Sequence, residues 1–304
     1  MFNFTIIIPH KNTPNLLQRC LDSIPIRDDL QIVIIDDDSE PSIVDFQNFP
    51  GKNRSNVDIF FTKEGKGAGY ARNIGLKEAK GKWILFADAD DYFTDNLASL
   101  FDEYKNNKSD IIFFNAKTDS KYVNRTEQLN EIIAKAESNY SEACFLLKFA
   151  FGEPWCKIVK RELIENNNIL FAETPIHNDT KYSYLVGFFA KSVAIDKRVV
   201  YIVSVQEKST SRQKSKSITY IRVHVFAEKD CFLRKHNIQY FDHHFLIPFW
   251  ECINQLDFHL FLECLKIAKQ YSIKKSYIIK YLLCTTFFRI CKKTLKLIFR
   301  LFSS

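Results

Sequence analysis

The sequence predicts an α/β protein, a mostly parallel sheet flanked by helices and followed by a helical C-terminal region. Three observations predict it. Short apolar runs alternate with helix signals through the first half of the chain. Two of those runs end in acidic clusters, Asp36 to Asp38 and Asp88 to Asp91, and open α/β sheets bind ligands beyond the carboxyl ends of their strands. With 304 residues and 46% hydrophobic content, the chain can build one large α/β domain, or one domain plus an appendage. The expected division is 1–212 and 213–304.

Each element follows from its residues. Phe4 to Ile8 reads as a strand stopped by Pro9. Thr13-Pro14 opens a helix running to about Ile24, with Pro in its first turn. Gln31 to Ile35 and Val57 to Phe61 read as the next strands. Gly67 to Ala79 reads as a helix closed by Lys80-Gly81, and Trp83 to Ala87 as the fourth strand. Asp110 to Asn115 is expected as a fifth. Leu129 to Phe151 reads as one helix, broken by Gly152-Glu153-Pro154-Trp155. Lys160 to Asn166 and a segment opening at Asn178-Asp179 read as helices, and Val193 to Val203 is β-rich. From Ile218 onward the pattern is helical and aromatic, with no nameable chemical motif.

Composition narrows the class. The eight cysteines are scattered without C-x-x-C spacing, as expected of reduced thiols. The N-terminus lacks a basic region, and its apolar run is short for a signal peptide. No stretch approaches the ~20 apolar residues of a membrane span. The expected location is cytoplasmic, or peripheral on the inner face of the cell membrane. The net charge of +7 is concentrated in the segment from Lys274 to Ser304, which carries eight basic and no acidic residues. On a helical projection Arg289, Lys292, Lys293, Lys296 and Arg300 cluster on one face, and Phe287, Ile290, Leu295, Leu297, Ile298, Leu301 and Phe302 occupy the rest. Residues 274–304 either rest on an anionic membrane or dock on the body with a solvated basic face. Nucleic acid is not an expected partner.

Asp88, Asp90 and Asp91 are the sharpest chemical signal. Three carboxylates within four positions repel one another and raise one another's pKa. Such a set suits a hard divalent cation, Mn²⁺ or Mg²⁺, carrying a diphosphate. The plain alternative is an acidic turn capping the next helix.

These pieces together resemble a known family. Ile6-Ile7-Ile8-Pro9-His10-Lys11-Asn12, Val33-Ile34-Ile35-Asp36-Asp37-Asp38-Ser39, Gly67-Ala68-Gly69-Tyr70-Ala71-Arg72-Asn73 and Trp83-Ile84-Leu85-Phe86-Ala87-Asp88-Ala89-Asp90-Asp91 keep its order and spacing. The chain resembles family 2 glycosyltransferases of GT-A (Rossmann-like) fold, of the bacterial surface-polysaccharide kind, over roughly its first 210 residues. The resemblance implies an inverting enzyme that moves a sugar from a nucleotide-diphosphate donor, with UDP-sugars expected, to a hydroxyl of a saccharide or lipid-linked saccharide. It implies nucleotide-sugar binding by Pro9, His10, Asp37, Gly69, Arg72 and Asp88, although His10 stands where the family often has Thr and a packed or solvent-facing imidazole is the alternative. Asp90 is the implied main metal ligand, with Asp88 and Asp91 beside it. Asp179 is the implied catalytic base, although a helix N-cap role is open to it. The family's Glu-Asp pair is Asn178-Asp179 here, so the Glu is replaced. Trp155 is read either as an acceptor platform or as a core residue. Lys208, Ser209 and Arg212 fall in a segment that related enzymes often use as a loop over the donor phosphates; a plain solvated loop is the alternative. Two other classes compete: a sugar nucleotidyltransferase, and an inactive scaffold of the same fold.

Overall fold

The computed structural model describes residues 2–120, 123–205 and 215–283. The chain forms two compact units, residues 1–210 and 211–304.

The first unit is built on one eight-stranded mixed sheet. Its elements in chain order are β1 (Phe4–His10), α1 (Pro14–Asp22), β2 (Leu30–Asp37), β3 (Val57–Thr62), α2 (Ala68–Glu78), β4 (Trp83–Phe86), β5 (Tyr92–Phe93) and α3 (Asn96–Tyr104). There follow β6 (Ile111–Asp119), α4 (Glu127–Lys135), α5 (Tyr140–Phe149), β7 (Lys157–Lys160), α6 (Arg161–Asn166), α7 (Asn178–Phe189) and β8 (Val193–Ser204). The strand order is β3-β2-β1-β4-β7-β6-β8-β5. The first four strands are parallel, and β2 is buried along its whole length, as its unbroken Ile/Val run requires. β7 enters antiparallel between β4 and β6.

Three expectations change. β1 continues through Pro9 to His10. The Ile7 carbonyl faces β4, accepting the Ala87 N–H, so the Pro9 nitrogen two residues on faces the same side. The paired part of β4 has ended there, and no ladder bond is lost. The single helix expected from Leu129 to Phe151 is two, α4 and α5. Asn139 separates them because its side chain accepts the Glu142 N–H at 3.1 Å and starts a new helix. The short strands β5 and β7 were not anticipated, because two or four residues carry no readable alternation.

The second unit comprises α8 (Lys216–Lys235), a 3-10 turn, α9 (Ile247–Asn254), α10 (Phe258–Gln270) and a further helix from 275 to the end of the described residues. Val223, Phe226, Phe245, Phe249 and Leu265 belong to its own apolar core. No helix among the described residues is long and apolar enough to cross a membrane. Residues 284–304, and with them the Arg289 to Phe302 projection, lie outside the described residues, as do Lys208, Ser209 and Arg212.

Candidate active site

The carboxyl ends of β1, β2 and β4 carry the candidate residues on one rim of the sheet. At the end of β2, Asp37 is buried, and each of its carboxylate oxygens accepts one hydrogen bond. Its Oδ2 accepts the Gly67 N–H at 2.6 Å and its Oδ1 accepts the Thr62 hydroxyl at 3.0 Å. Gly67 has φ 91, a conformation that favours glycine, and it caps α2. The carboxylate thus fixes the turn that launches α2.

His10 is 2% exposed, and both ring nitrogens are used. The Thr13 N–H donates to Nε2 at 3.1 Å, so the proton sits on Nδ1, which donates to Asp36 Oδ2 at 2.7 Å. Burial pushes Asp36 upward, but the bonds from His10 and Ser39 outweigh it and hold the carboxyl below its ordinary range. Pro9 lies beside this pair on β1.

Arg72 on α2 is the hub. Its Nη2 donates to Asp88 Oδ1 at 2.6 Å and its Nη1 to Asn178 Oδ1 at 2.8 Å. Its Nε is buried without a hydrogen-bond partner. The Phe171 ring lies 5.4 Å from the guanidinium. The next residue, Asn73, clamps the 171 backbone in both directions, donating to the Phe171 carbonyl at 3.1 Å and accepting its N–H at 2.8 Å. Gly69 permits this closeness, since a Cβ there would stand 2.1 Å from the Ala172 carbonyl oxygen.

Asp88, Asp90 and Asp91 follow β4, with carboxylate oxygens within 4.8 Å of one another. Burial, then Asp88 and Asp90, push Asp91 up to about 8. Burial and the Asp88 charge also raise Asp90. Asp91 Oδ1 accepts the Ser204 N–H at 2.7 Å, and the Tyr201 hydroxyl accepts the Asp88 N–H at 2.9 Å. Three oxygen donors that resist sharing their negative charge fit a hard divalent cation such as Mn²⁺ or Mg²⁺. Arg72 joins the cluster to Asn178, the first residue of α7.

Asp179 stands in the first turn of α7, part-buried, and burial followed by the charge of Glu153 pushes it up to about 6. It accepts no cap bond: His177 is the N-cap, at φ 53. Trp155 is 2% exposed and stacks on Tyr201 at 5.6 Å, which makes it a core residue. Three participants escaped the sequence. Tyr201 sits in a β-rich run, where aromatic residues are ordinary. Arg19 on α1 donates to the Asp90 carbonyl and to the Ser204 hydroxyl at 2.7 Å, and nothing local marks it. Glu153 lies in what reads as a helix-breaking loop.

Comparison with known proteins identifies the family and the fold. Residues 5–167 match the family described as Glycosyl transferase family 2. A poly(ribitol-phosphate) beta-glucosyltransferase of Bacillus spizizenii is 37% identical over 113 residues, covering 35% of this chain and 18% of that one. The chain therefore spans under a fifth of that relative's length. Among solved structures, Staphylococcus aureus TarS 1-349 in complex with UDP-GlcNAc superposes with a TM-score of 0.63 at 18% identity, covering 89% of this chain and 81% of TarS 1-349. The mannosyltransferase PcManGT of Pyrobaculum calidifontis, in complex with GDP-Man and Mn²⁺, superposes with a TM-score of 0.53 at 16% identity, covering 95% and 80%. At such identities the likeness is one of fold.

Proposed function

The chain belongs to glycosyl transferase family 2, and we propose that it transfers a sugar from a UDP-sugar to a hydroxyl of a saccharide or lipid-linked saccharide in cell-surface polysaccharide synthesis. One observation carries the reading. Arg72 links Asp88, in the acidic cluster, to Asn178, the neighbour of Asp179. The acidic, diphosphate-binding end and the residue next to the candidate base thus share one guanidinium.

In this reading Asp37 receives the nucleobase, and Pro9, His10 and Gly69 shape the wall beside it. Asp90, with Asp88 and Asp91, would hold Mn²⁺ or Mg²⁺. That cation would offset the charge gathering on the departing nucleoside diphosphate. Asp179 takes the proton from the acceptor hydroxyl as its oxygen attacks the anomeric carbon. The bond from that carbon to the diphosphate oxygen breaks on the opposite face, so the configuration inverts. Arg72 keeps Asp88 oriented and places positive charge near the ionised Asp179. The ligands of the two structural neighbours support a nucleotide-sugar donor. Exposed Lys274, Lys275 and Lys280, together with exposed Ile279 and Leu283, support an anionic membrane surface as partner of residues 274–304 and a site of action at the inner face of the membrane.

A thermal-shift panel of UDP, GDP, CDP, TDP and ADP, each with and without Mn²⁺, tests the donor assignment. A nucleotide at ~100 times its dissociation constant adds about 2.7 kcal/mol, a readable rise in Tm. UDP with Mn²⁺ is expected to give the largest rise. No rise with any nucleotide would refute the reading.

A further inference from the structure

We infer that Glu153 is the second carboxylate of the acceptor subsite, where it accepts a hydrogen bond from the hydroxyl adjacent to the one that attacks. This rests on the transfer reading above and deepens it, because it makes the acceptor a neutral saccharide with two neighbouring hydroxyls.

The placement comes from the loop between α5 and β7. The Ser183 hydroxyl donates to the Gly152 carbonyl. Ser183 lies four residues beyond Asp179 on α7, one helical turn along the same face. The loop is therefore tied to the face that carries Asp179. On its other side Pro154 and Trp155 are buried, with Trp155 stacked on Tyr201, whose hydroxyl holds the Asp88 backbone. Gly152 faces open space: a Cβ there would meet no heavy atom within 4 Å. Glu153 is thus fixed between two anchors, half-buried, at an opening beside Asp179.

The chemistry follows from what these carboxylates lack. Among the described residues Glu153 has no side-chain hydrogen bond or ion pair, and Asp179 accepts only from its own backbone N–H, so both part-buried carboxylates are open to donors from a bound molecule. Glu153 is the first charge, after burial, that raises Asp179; Arg72 opposes it and Asp88 adds to it. Ionised carboxylates only accept, so a pair of them selects donors, and neighbouring sugar hydroxyls are a matched pair of donors. A phosphate or carboxylate on the acceptor at that position would face both negative charges and be rejected.

The test uses the full chain and the donor singled out by the nucleotide panel. The probe acceptors are p-nitrophenyl glucoside, galactoside and mannoside with their singly deoxygenated analogues. Glu153→Gln is expected to raise acceptor KM tenfold or more while changing kcat less, and to flatten the preference for the hydroxylated acceptor over its deoxy analogue. Its nucleotide-induced rise in Tm should match the parent protein's, and Glu153→Asp should recover part of the acceptor affinity. Unchanged acceptor KM in both Glu153→Gln and Glu153→Ala would overturn the assignment. A parent protein that hydrolyses the donor yet accepts none of these neutral diols would overturn the acceptor class. A parent protein that releases no nucleotide from any donor would overturn the transfer reading itself.

Discussion

Arg72 Nη2 stands 2.6 Å from Asp88 Oδ1, and the same guanidinium reaches Asn178. Only a planar fork meets both partners at once. Arg72→Lys should therefore keep the charge and still lose one contact. The Arg72 side chain is 7% exposed and that of Asp88 33%, so the pair is partly shielded from water. Arg72→Ala should lower stability by about 1–3 kcal/mol, read from the denaturation midpoint. Both variants should release nucleotide more slowly than the parent protein.

Asp179 sets the acid limb of the rate. A base with a pKa of about 6 is protonated below that pH, so transfer should rise through pH 6 and level above it. The sign for stability is opposite. A carboxyl raised in the folded state keeps its proton where the unfolded chain has released it. Its contribution is therefore present at low pH and lost as pH rises through about 6. A pH–rate profile checks the first statement, and its acid limb should move to lower pH in Glu153→Gln.

Divalent-ion affinity should climb with pH. Burial and its two neighbours push Asp91 up to about 8, so a cation must displace a proton at lower pH. Calorimetric titration with Mn²⁺ at pH 6 and pH 8 should give tighter binding at pH 8. Asp91→Asn should weaken that dependence. Without the cation, the stability contributed by the raised Asp91 falls as pH rises towards 8.

Gly69→Ala tests the packing of α2 against the strap that leads to α7. The added Cβ would approach the Ala172 oxygen to 2.1 Å and Asn178 Cβ to 2.9 Å. Backbone must move to admit it, at about 1–3 kcal/mol. Activity should fall with stability, because the displaced segment carries both Asn178 and Asp179. A melting curve and a nucleotide-release assay on one preparation would check both.

How much of this was legible depends on whether the signal was local. β1, β2 and β4 were readable because buried parallel strands are near-continuous apolar runs, and the ends of β2 and β4 were marked by Asp36 to Asp38 and Asp88 to Asp91. The match of residues 5–167 to family 2 agrees with the motifs read from the same stretch. The antiparallel insertion of β7 was not readable, since four residues carry no orientation. Nor was the buried link between His10 and Asp36, which needs the register of β1 against β2. The Gly67 N–H on Asp37 joins residues 30 positions apart, and Ser183 on the Gly152 carbonyl joins residues 31 apart. Glu153 became a candidate only when those contacts fixed its loop.

The most direct test is sugar transfer by Asp179→Asn in a sample whose nucleotide binding has been verified by thermal shift. Asn keeps the shape and cannot take the proton. The account predicts a UDP- and Mn²⁺-induced rise in Tm close to the parent protein's, with transfer reduced by about a hundredfold or more. Transfer at the parent rate would contradict it, and would remove Asp179 from the mechanism.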